Sequence, residues 1–175
     1  MDKDIAGGGP LLDQGVYDLS FHLGLLNDVP QLEKINSILL KSGLDNYDPG
    51  DLPYNVEESF VAMLDFSGGI KYFWERANHA NVEVPNESRI YGTRGGIKLN
   101  FCTWDPNIIY FYDLDENNRA RTTKIEISTG SQDDDFALIE HYIDVLDGKT
   151  EPVMPLERAG KHLDIIWRCY NEAKN

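Results

Sequence analysis

The sequence predicts an α+β fold, with an open, predominantly antiparallel β-sheet and helices packed on one face. Three observations support this class. Apolar residues recur at helical spacing near the N-terminus, the middle of the chain is a run of short strand-like segments separated by turns, and two helical segments close the chain. Helices and strands are therefore segregated along the chain, which favours α+β over alternating βαβ units.

The first helix is predicted at about residues 10–24. Gly9-Pro10 marks its start, because proline is tolerated at the first helical position, where its missing N–H would be unpaired in any case. The apolar residues that repeat at helical spacing are Leu12, Val16, Leu19 and Leu23.

The middle of the chain is predicted to form hairpins. Ser67-Gly68-Gly69 is a tight turn between two strands, and Gly92–Gly96 is a second hairpin turn, with glycines expected at positive φ. A polar turn over 115–120 joins the last two strands. The predicted strands are 35–41, 59–66, 70–77, 88–91, 97–101, 108–114 and 122–128.

Two helices are predicted at the C-terminal end. Ser131 caps the first, Asp133–Asp135 fill its opening turn, and Gly148 ends it. The second begins near Pro155. The apolar stripe of the first is Phe136, Ile139, Ile143 and Leu146, and the second carries Leu156, Ala159, Leu163, Ile166, Trp167 and Tyr170.

Length and charge bound the classes of function. The 175 residues suit one domain, predicted over 1–175, or a large piece of a two-domain protein, and the net charge is −14. Without a basic stripe, this charge argues against nucleic acid and anionic membranes as partners. The chain has no apolar run near the length of a membrane span and no signal-peptide pattern at its start, so we expect a soluble, cytoplasmic protein.

The cysteines and histidines show no metal-ligand spacing. Cys102 and Cys169 are interpreted as inert thiols in a reducing compartment. His22 is interpreted as a cation near the end of the first helix. The other histidines are His79, His141 and His162. We expect no metal site, because structural zinc requires a fuller set of ligands.

Asp13 and Tyr17 are the candidate catalytic and substrate-binding residues. They lie four residues apart, on one face of the first helix, so a carboxylate and a phenol are presented together. In the functional interpretation Tyr17 donates or accepts a proton and Asp13 binds a substrate hydroxyl. In the structural alternative Asp13 is a surface carboxylate stabilised by the helix dipole, and Tyr17 is a residue at the edge of the core.

Several other patterns have structural explanations. The Gly92–Gly96 turn lacks the lysine and hydroxyl residue of a phosphate loop, and Asp133–Asp135 lacks the spacing of a calcium loop. On the third predicted strand, Tyr72 and Trp74 share one face and Phe73 lies on the other. No strand-Gly-x-Gly-x-x-Gly-helix unit is present, so we expect no dinucleotide-binding half in this chain.

Four segments resemble the C-terminal domain of the Gfo/Idh/MocA family, which contains glucose-fructose oxidoreductases and inositol dehydrogenases. They are Gly7–Asp18, Glu58–Gly69, Arg89–Ile97 and Pro155–Ala159. The glycine-rich opening with Asp13 is the specific part of this resemblance. In the commoner pattern of the family a histidine follows the aspartate by four residues. Tyr17 at that position resembles the branch with glucose-fructose oxidoreductase and dihydrodiol dehydrogenases, in which a tyrosine is the acid/base.

The resemblance implies a function and a fold. The expected fold is the dihydrodipicolinate reductase-like C-terminal domain, whose sheet often forms a homodimer or a higher homo-oligomer. The chain is expected to be the substrate-binding domain of an NAD(P)-dependent oxidoreductase that acts on a CH–OH or carbonyl group of a sugar, cyclitol or dihydrodiol. NAD or NADP would be bound mainly by an N-terminal Rossmann domain, which also supplies a lysine that assists proton transfer.

Two features of the family are not found in the sequence. It contains neither the Rossmann half nor the Glu-Lys-Pro motif, so we expect this chain alone to be inactive. The alternative is a non-catalytic dimerisation or ligand-binding module of the same fold, whose uncovered sheet face pairs with another subunit. A hydrolase with paired carboxylates is a weaker alternative, because no second acid is linked to Asp13 by the sequence.

Overall fold

The structure is a computed structural model that describes residues 1–42, 48, 50–51, 53–78, 80–81, 87–100, 108–127 and 134–174. These residues form two compact units. The first contains the described residues up to 81 and those from 153 onward, and the second contains the described residues from 87 to 152. Among the described ranges, no helix combines the length and the apolar character that crossing a bilayer requires.

The first unit begins with three short helices. They are α1 (Lys3–Ala6), α2 (Pro10–Asp13) and α3 (Gly15–Gly24), and proline is the first residue of α2, as predicted. The predicted continuous helix is thus divided at Gln14, which still has right-handed helical dihedrals (φ −92°, ψ −28°). Residues of α2 and α3 therefore keep nearly helical relations across the junction.

Three antiparallel strands and one long helix complete the first unit. The strands are β1 (Leu32–Lys41), β2 (Ser59–Phe66) and β3 (Ile70–Ala77), with β2 in the centre. The last two match the predicted bounds. The helix is α5 (Leu156–Glu172), the last described element of the chain.

The helices of the first unit cover one face of this sheet. The alternate residues Phe60, Ala62, Leu64 and Phe66 of β2 are all about 1% exposed and pack against the helices. The core also contains Leu11, Leu19, Trp74, Ile165, Ile166, Cys169 and Tyr170. The predicted combination of helices with open antiparallel sheets is therefore confirmed, with helices on one face in this unit.

The second unit contains a four-stranded antiparallel sheet and a helix. The strands, in spatial order, are β4 (Glu87–Tyr91), β5 (Gly96–Asn100), β6 (Ile108–Leu114) and β7 (Ala120–Glu126). The helix is α4 (Asp134–Leu146), which ends before Gly148 at φ +69°, as predicted. The apolar stripe of α4, predicted from its spacing, is at least half exposed at each position: Phe136, Ile139, Ile143 and Leu146.

The hairpin between β4 and β5 forms as predicted, but its glycines do not have the predicted positive φ. Close backbone approach accounts for them instead. A Cβ atom on Gly95 would lie 2.7 Å from the carbonyl oxygen of Tyr112, and one on Gly92 would lie 2.9 Å from the carbonyl oxygen of Gly95. Three predicted features lie outside the described residues: the Ser131 cap, Cys102 and His79.

The glycine run before α2 has a packing explanation. A Cβ atom on Gly8 would lie 2.1 Å from the hydroxyl oxygen of Tyr170, and one on Gly9 would lie 1.9 Å from the carbonyl oxygen of Glu57. Glu57 is 4% exposed, and one carboxylate oxygen accepts hydrogen bonds from the backbone N–H groups of Gly9 (3.0 Å) and Leu11 (3.2 Å). The chain must therefore pass close to Glu57 for α2 to begin where it does.

We expect Gly9→Ala to lower the free energy of unfolding by about 1–3 kcal/mol, because the methyl group meets backbone that cannot move away cheaply. Gly160→Ala is the matched control, since a Cβ atom there meets nothing within 4 Å in the interior of α5. That control should stabilise the chain by up to about 1 kcal/mol. Urea denaturation measures the free energy of unfolding of both variants. Equal values for Gly9→Ala and Gly160→Ala would contradict the packing explanation of the glycine run.

Candidate functional site

The buried carboxylate of Asp18 fixes the rotation of α3. Asp18 is 1% exposed and accepts hydrogen bonds from Trp74 Nε1 (2.8 Å) and Arg76 Nε (2.8 Å), both on β3. Arg76 also contacts the second carboxylate oxygen through its terminal nitrogen. These bonds satisfy a charge that would otherwise be costly to bury. They hold one side of α3 against the sheet.

Asp13 and Tyr17 lie on the solvent side of the same helical segment. Both side chains are exposed, and Tyr17 keeps 60% of its surface accessible. The structure records no hydrogen bond between them. Both groups are accessible from solvent, and their proposed chemical roles stay predictions.

His22 is part of a polar cluster and is not the helix-end cation that the sequence suggested. Its Nδ1 lies 2.8 Å from the hydroxyl oxygen of Tyr72, and the two rings meet edge to face. Burial lowers the pKa of His22, although Asp18 opposes this shift, so the ring is largely neutral at pH 7. Burial also holds the pKa of Tyr72 well above its ordinary value.

The third strand has the predicted distribution of aromatic residues. Trp74 is 3% exposed and Tyr72 packs against the core, whereas Phe73 is 66% exposed on the opposite face. Trp74 also lies close to Gly15, where an added Cβ atom would approach its ring to 2.8 Å. The inner aromatic residues of β3 are thus part of the support beneath α3.

A second buried polar cluster anchors the start of α2. The hydroxyl of Tyr170 donates a hydrogen bond to Glu57 Oε1 (2.5 Å), the same oxygen that accepts from the backbone at Gly9. Burial, followed by this bond to Glu57, raises the pKa of Tyr170 far above its ordinary value. Tyr170 is therefore a protonated donor at neutral pH and fixes the glycine run to α5.

A cavity of about 350 Å³ lies elsewhere in the first unit, between the α3–β1 connection and α5. Its lining includes Asp28 and His162, whose Oδ1 and Nε2 atoms are 2.9 Å apart. The Arg158 side chain also lies against Asp28. Neither candidate residue, Asp13 or Tyr17, lines this cavity.

The Cys169 thiol and the possible metal ligands are the remaining groups that could react. Cys169 is fully buried, and burial raises its pKa to about 11, so it is a protonated thiol, in agreement with the sequence interpretation. Within the described part of the chain, no three His, Cys, Asp or Glu side chains are grouped to hold a metal ion.

Residues 1–98, more than half of the chain, match the family described as the GFO/IDH/MocA C-terminal domain. The chain belongs to this family. The matched range contains the glycine run, Asp13 and Tyr17, so the resemblance seen in the sequence is confirmed.

Relatives of this GFO/IDH/MocA domain are longer proteins. The trans-1,2-dihydrobenzene-1,2-diol dehydrogenase of Danio rerio is 34% identical over 101 residues, which are 57% of this chain and 26% of that protein. A solved NAD-binding protein from Listeria innocua has a TM-score of 0.65 at 18% identity, over 96% of this chain and 50% of that one. The chain thus spans half or less of these proteins.

A second solved structure supports the same fold. The UDP-N-acetylglucosamine 3-dehydrogenase of Acidithiobacillus ferrooxidans has a TM-score of 0.64 at 12% identity, over 88% of this chain and 44% of that protein. At these identities the likeness concerns the fold of the GFO/IDH/MocA domain.

Sequence reasoning found the exposed pair of this domain but not the residues that support it. Asp18 is 56 positions from Trp74 and 58 from Arg76, and Glu57 is 113 positions from Tyr170. Such pairs have no local spacing signal. The one available hint was Asp18 itself, a charged residue placed one position before Leu19 in the apolar stripe.

Proposed function

We propose that this chain is the substrate-binding domain of an NAD(P)-dependent oxidoreductase that acts on a CH–OH or carbonyl group of a sugar, cyclitol or dihydrodiol. The observation that carries the proposal is the exposed pair of Asp13, at the end of α2, and Tyr17, on α3, which buried Asp18 holds in place. Membership of the family and the named activity of the zebrafish relative support the reaction class.

Tyr17 is the proton-transfer group in this proposal. During oxidation of an alcohol, the substrate oxygen loses its proton to the Tyr17 oxygen, and in the reverse direction Tyr17 returns it to the carbonyl oxygen. Asp13 accepts a hydrogen bond from a substrate hydroxyl and orients it. A phenol has a pKa of about 10, so a positive neighbour is required near neutral pH; the family resemblance assigns this role to a lysine outside this chain.

The glycine run before α2 is not a phosphate cradle of the kind that dinucleotide-binding helices provide. The glycine run precedes a helix of only four residues, and the first free N–H groups of that helix already donate to Glu57. A carboxylate at this place would repel a phosphate. We propose that NAD or NADP is held mainly by residues outside this chain, where it supplies the hydride chemistry.

We expect Tyr17→Phe in the full-length protein to lower kcat by about 10²-fold or more, because the phenolic proton is lost while the ring is kept. The assay follows NAD(P)H formation with trans-1,2-dihydrobenzene-1,2-diol, glucose and myo-inositol as substrates. Tyr91→Phe is the matched control, since Tyr91 is an exposed tyrosine on β4. Equal kcat for Tyr17→Phe and the unchanged protein would contradict the role of Tyr17.

The second part of the proposal is that this domain forms a homodimer. Dimerisation is also the function that we propose for the domain if it is not catalytic. The face of the first sheet opposite its helices exposes Leu39, Met63 and Phe73, each at least half accessible. Met63 is paired with Phe73, and Leu39 with Val61, so the apolar side chains form one patch. A contiguous apolar patch of this kind is typical of an interface. We propose that this face pairs with a second copy.

Phe73→Glu should weaken self-association at least about tenfold, because a charge replaces the most exposed large apolar side chain of the patch. Sedimentation velocity at several protein concentrations measures the change. Tyr91→Glu, on the other sheet, is the control and should associate as the unchanged chain does. A monomer at every concentration of the unchanged protein would contradict the dimer.

A further inference from the structure

Two amide side chains meet beside the candidate site. Gln14 Nε2 donates a hydrogen bond to Asn78 Oδ1 at 2.5 Å, and both side chains are partly buried. Gln14 is the junction between α2 and α3, and Asn78 directly follows β3. The pair therefore joins the α2–α3 segment, which carries Tyr17, to the end of β3.

The backbone around both amides is fixed. The carbonyl oxygen of Gln14 accepts hydrogen bonds from the N–H groups of Tyr17 (3.1 Å) and Asp18 (3.2 Å). The N–H of Asn78 donates to the carbonyl oxygen of Glu58 (2.8 Å). Groups held in this way lose little freedom when a ligand binds, which favours affinity.

The pair uses two of its four polar side-chain atoms in this hydrogen bond. Among the described residues, Gln14 Oε1 and Asn78 Nδ2 have no partner, and neither is among the fully buried unpaired atoms. The pair thus leaves one acceptor oxygen and one amide nitrogen without a partner among the described residues. If O and N are exchanged in both amides, one amide oxygen and one amide nitrogen are again unpaired. This conclusion therefore does not depend on how the amides are oriented.

A hydroxyl group matches this pair, because it donates one hydrogen bond and accepts others. Gln14 follows Asp13 directly and precedes Tyr17 by three positions, so the Cβ atoms of Gln14 and Tyr17 are expected to be about 5–6 Å apart. A hydroxyl held by the pair would therefore lie beside an oxygen that reaches Tyr17.

We propose that Gln14 and Asn78 bind the substrate hydroxyl that neighbours the reacting one, and so select vicinal diols and polyols over simple alcohols. The inference rests on the proposed function for its reacting oxygen, but binding alone tests it. The unused donor becomes paired with the ligand oxygen, and the ligand proton becomes paired with the unused acceptor. An alcohol without the second hydroxyl leaves both amide atoms unpaired, which lowers its affinity.

The test compares two probes, trans-cyclohexane-1,2-diol and cyclohexanol, by ligand-observed saturation-transfer NMR on the full chain. We expect the diol to bind about tenfold more tightly than cyclohexanol. Gln14→Met keeps the length of the side chain without its polar atoms and should reduce this ratio to near one. Gln31→Met is the matched control and should keep the ratio, because Gln31 is an amide elsewhere, in the connection before β1.

Asn78→Leu is the second variant, and the thermal unfolding of every variant is measured so that a loss of folding is recognised. Equal affinity for the two probes in the unchanged chain, no binding of the diol, or an unchanged ratio in folded Gln14→Met would overturn the inference. Failure of the proposed function is seen differently, as no NAD(P)H formation by the full-length protein with the diols that bind.

Discussion

The buried charge of Asp18 is the constraint on which the site depends. A carboxylate that is 1% exposed is stable only with partners, and Trp74 and Arg76 of β3 provide them. Successive residues of a helix are about 100° apart, so holding Asp18 against the sheet determines where its neighbour Tyr17 points. The exposed phenol is thus a consequence of a buried ion pair.

The start of α2 is held by a second buried cluster, which consists of Glu57 and Tyr170. Glu57 accepts hydrogen bonds from the first N–H groups of α2 and from Tyr170, and the closeness of these groups requires glycine at positions 8 and 9. The glycine run therefore serves to let the backbone pack closely against Glu57 and Tyr170. It resembles a phosphate-binding sequence, but its N–H groups already have a carboxylate as partner. Two anchors, at Glu57 and at Asp18, together fix a short segment between them.

Local patterns predicted much of the fold. Alternation and turn residues gave the bounds of β2, β3 and β6 as the structure has them, because a half-buried strand repeats every two residues. The positive φ expected at the Gly92–Gly96 turn was wrong, since close contact between backbone segments explains small residues equally well. The break at Gln14 was not predicted, although the helix-weakening residue Gly15 follows it directly in the sequence.

The candidate site was only partly accessible to sequence reasoning. The four-residue spacing of Asp13 and Tyr17 is visible in the sequence, and the structure shows both side chains exposed. The supporting contacts of Asp18 and the pairing of Gln14 with Asn78 join positions more than 50 residues apart. Such contacts are set by how β3 passes beneath α3, which no local period encodes.

The most direct test of this account is the free energy of unfolding of Asp18→Ala, measured by urea denaturation beside Asp65→Ala. Removing Asp18 takes away the carboxylate that pairs with the largely buried Arg76 guanidinium, so we expect a loss of about 3–5 kcal/mol. Asp65 pairs with the exposed Lys71 at 2.7 Å, and its removal should cost far less because solvent screens that pair. Equal, small losses in the two variants would contradict the claim that Asp18 holds the site in place.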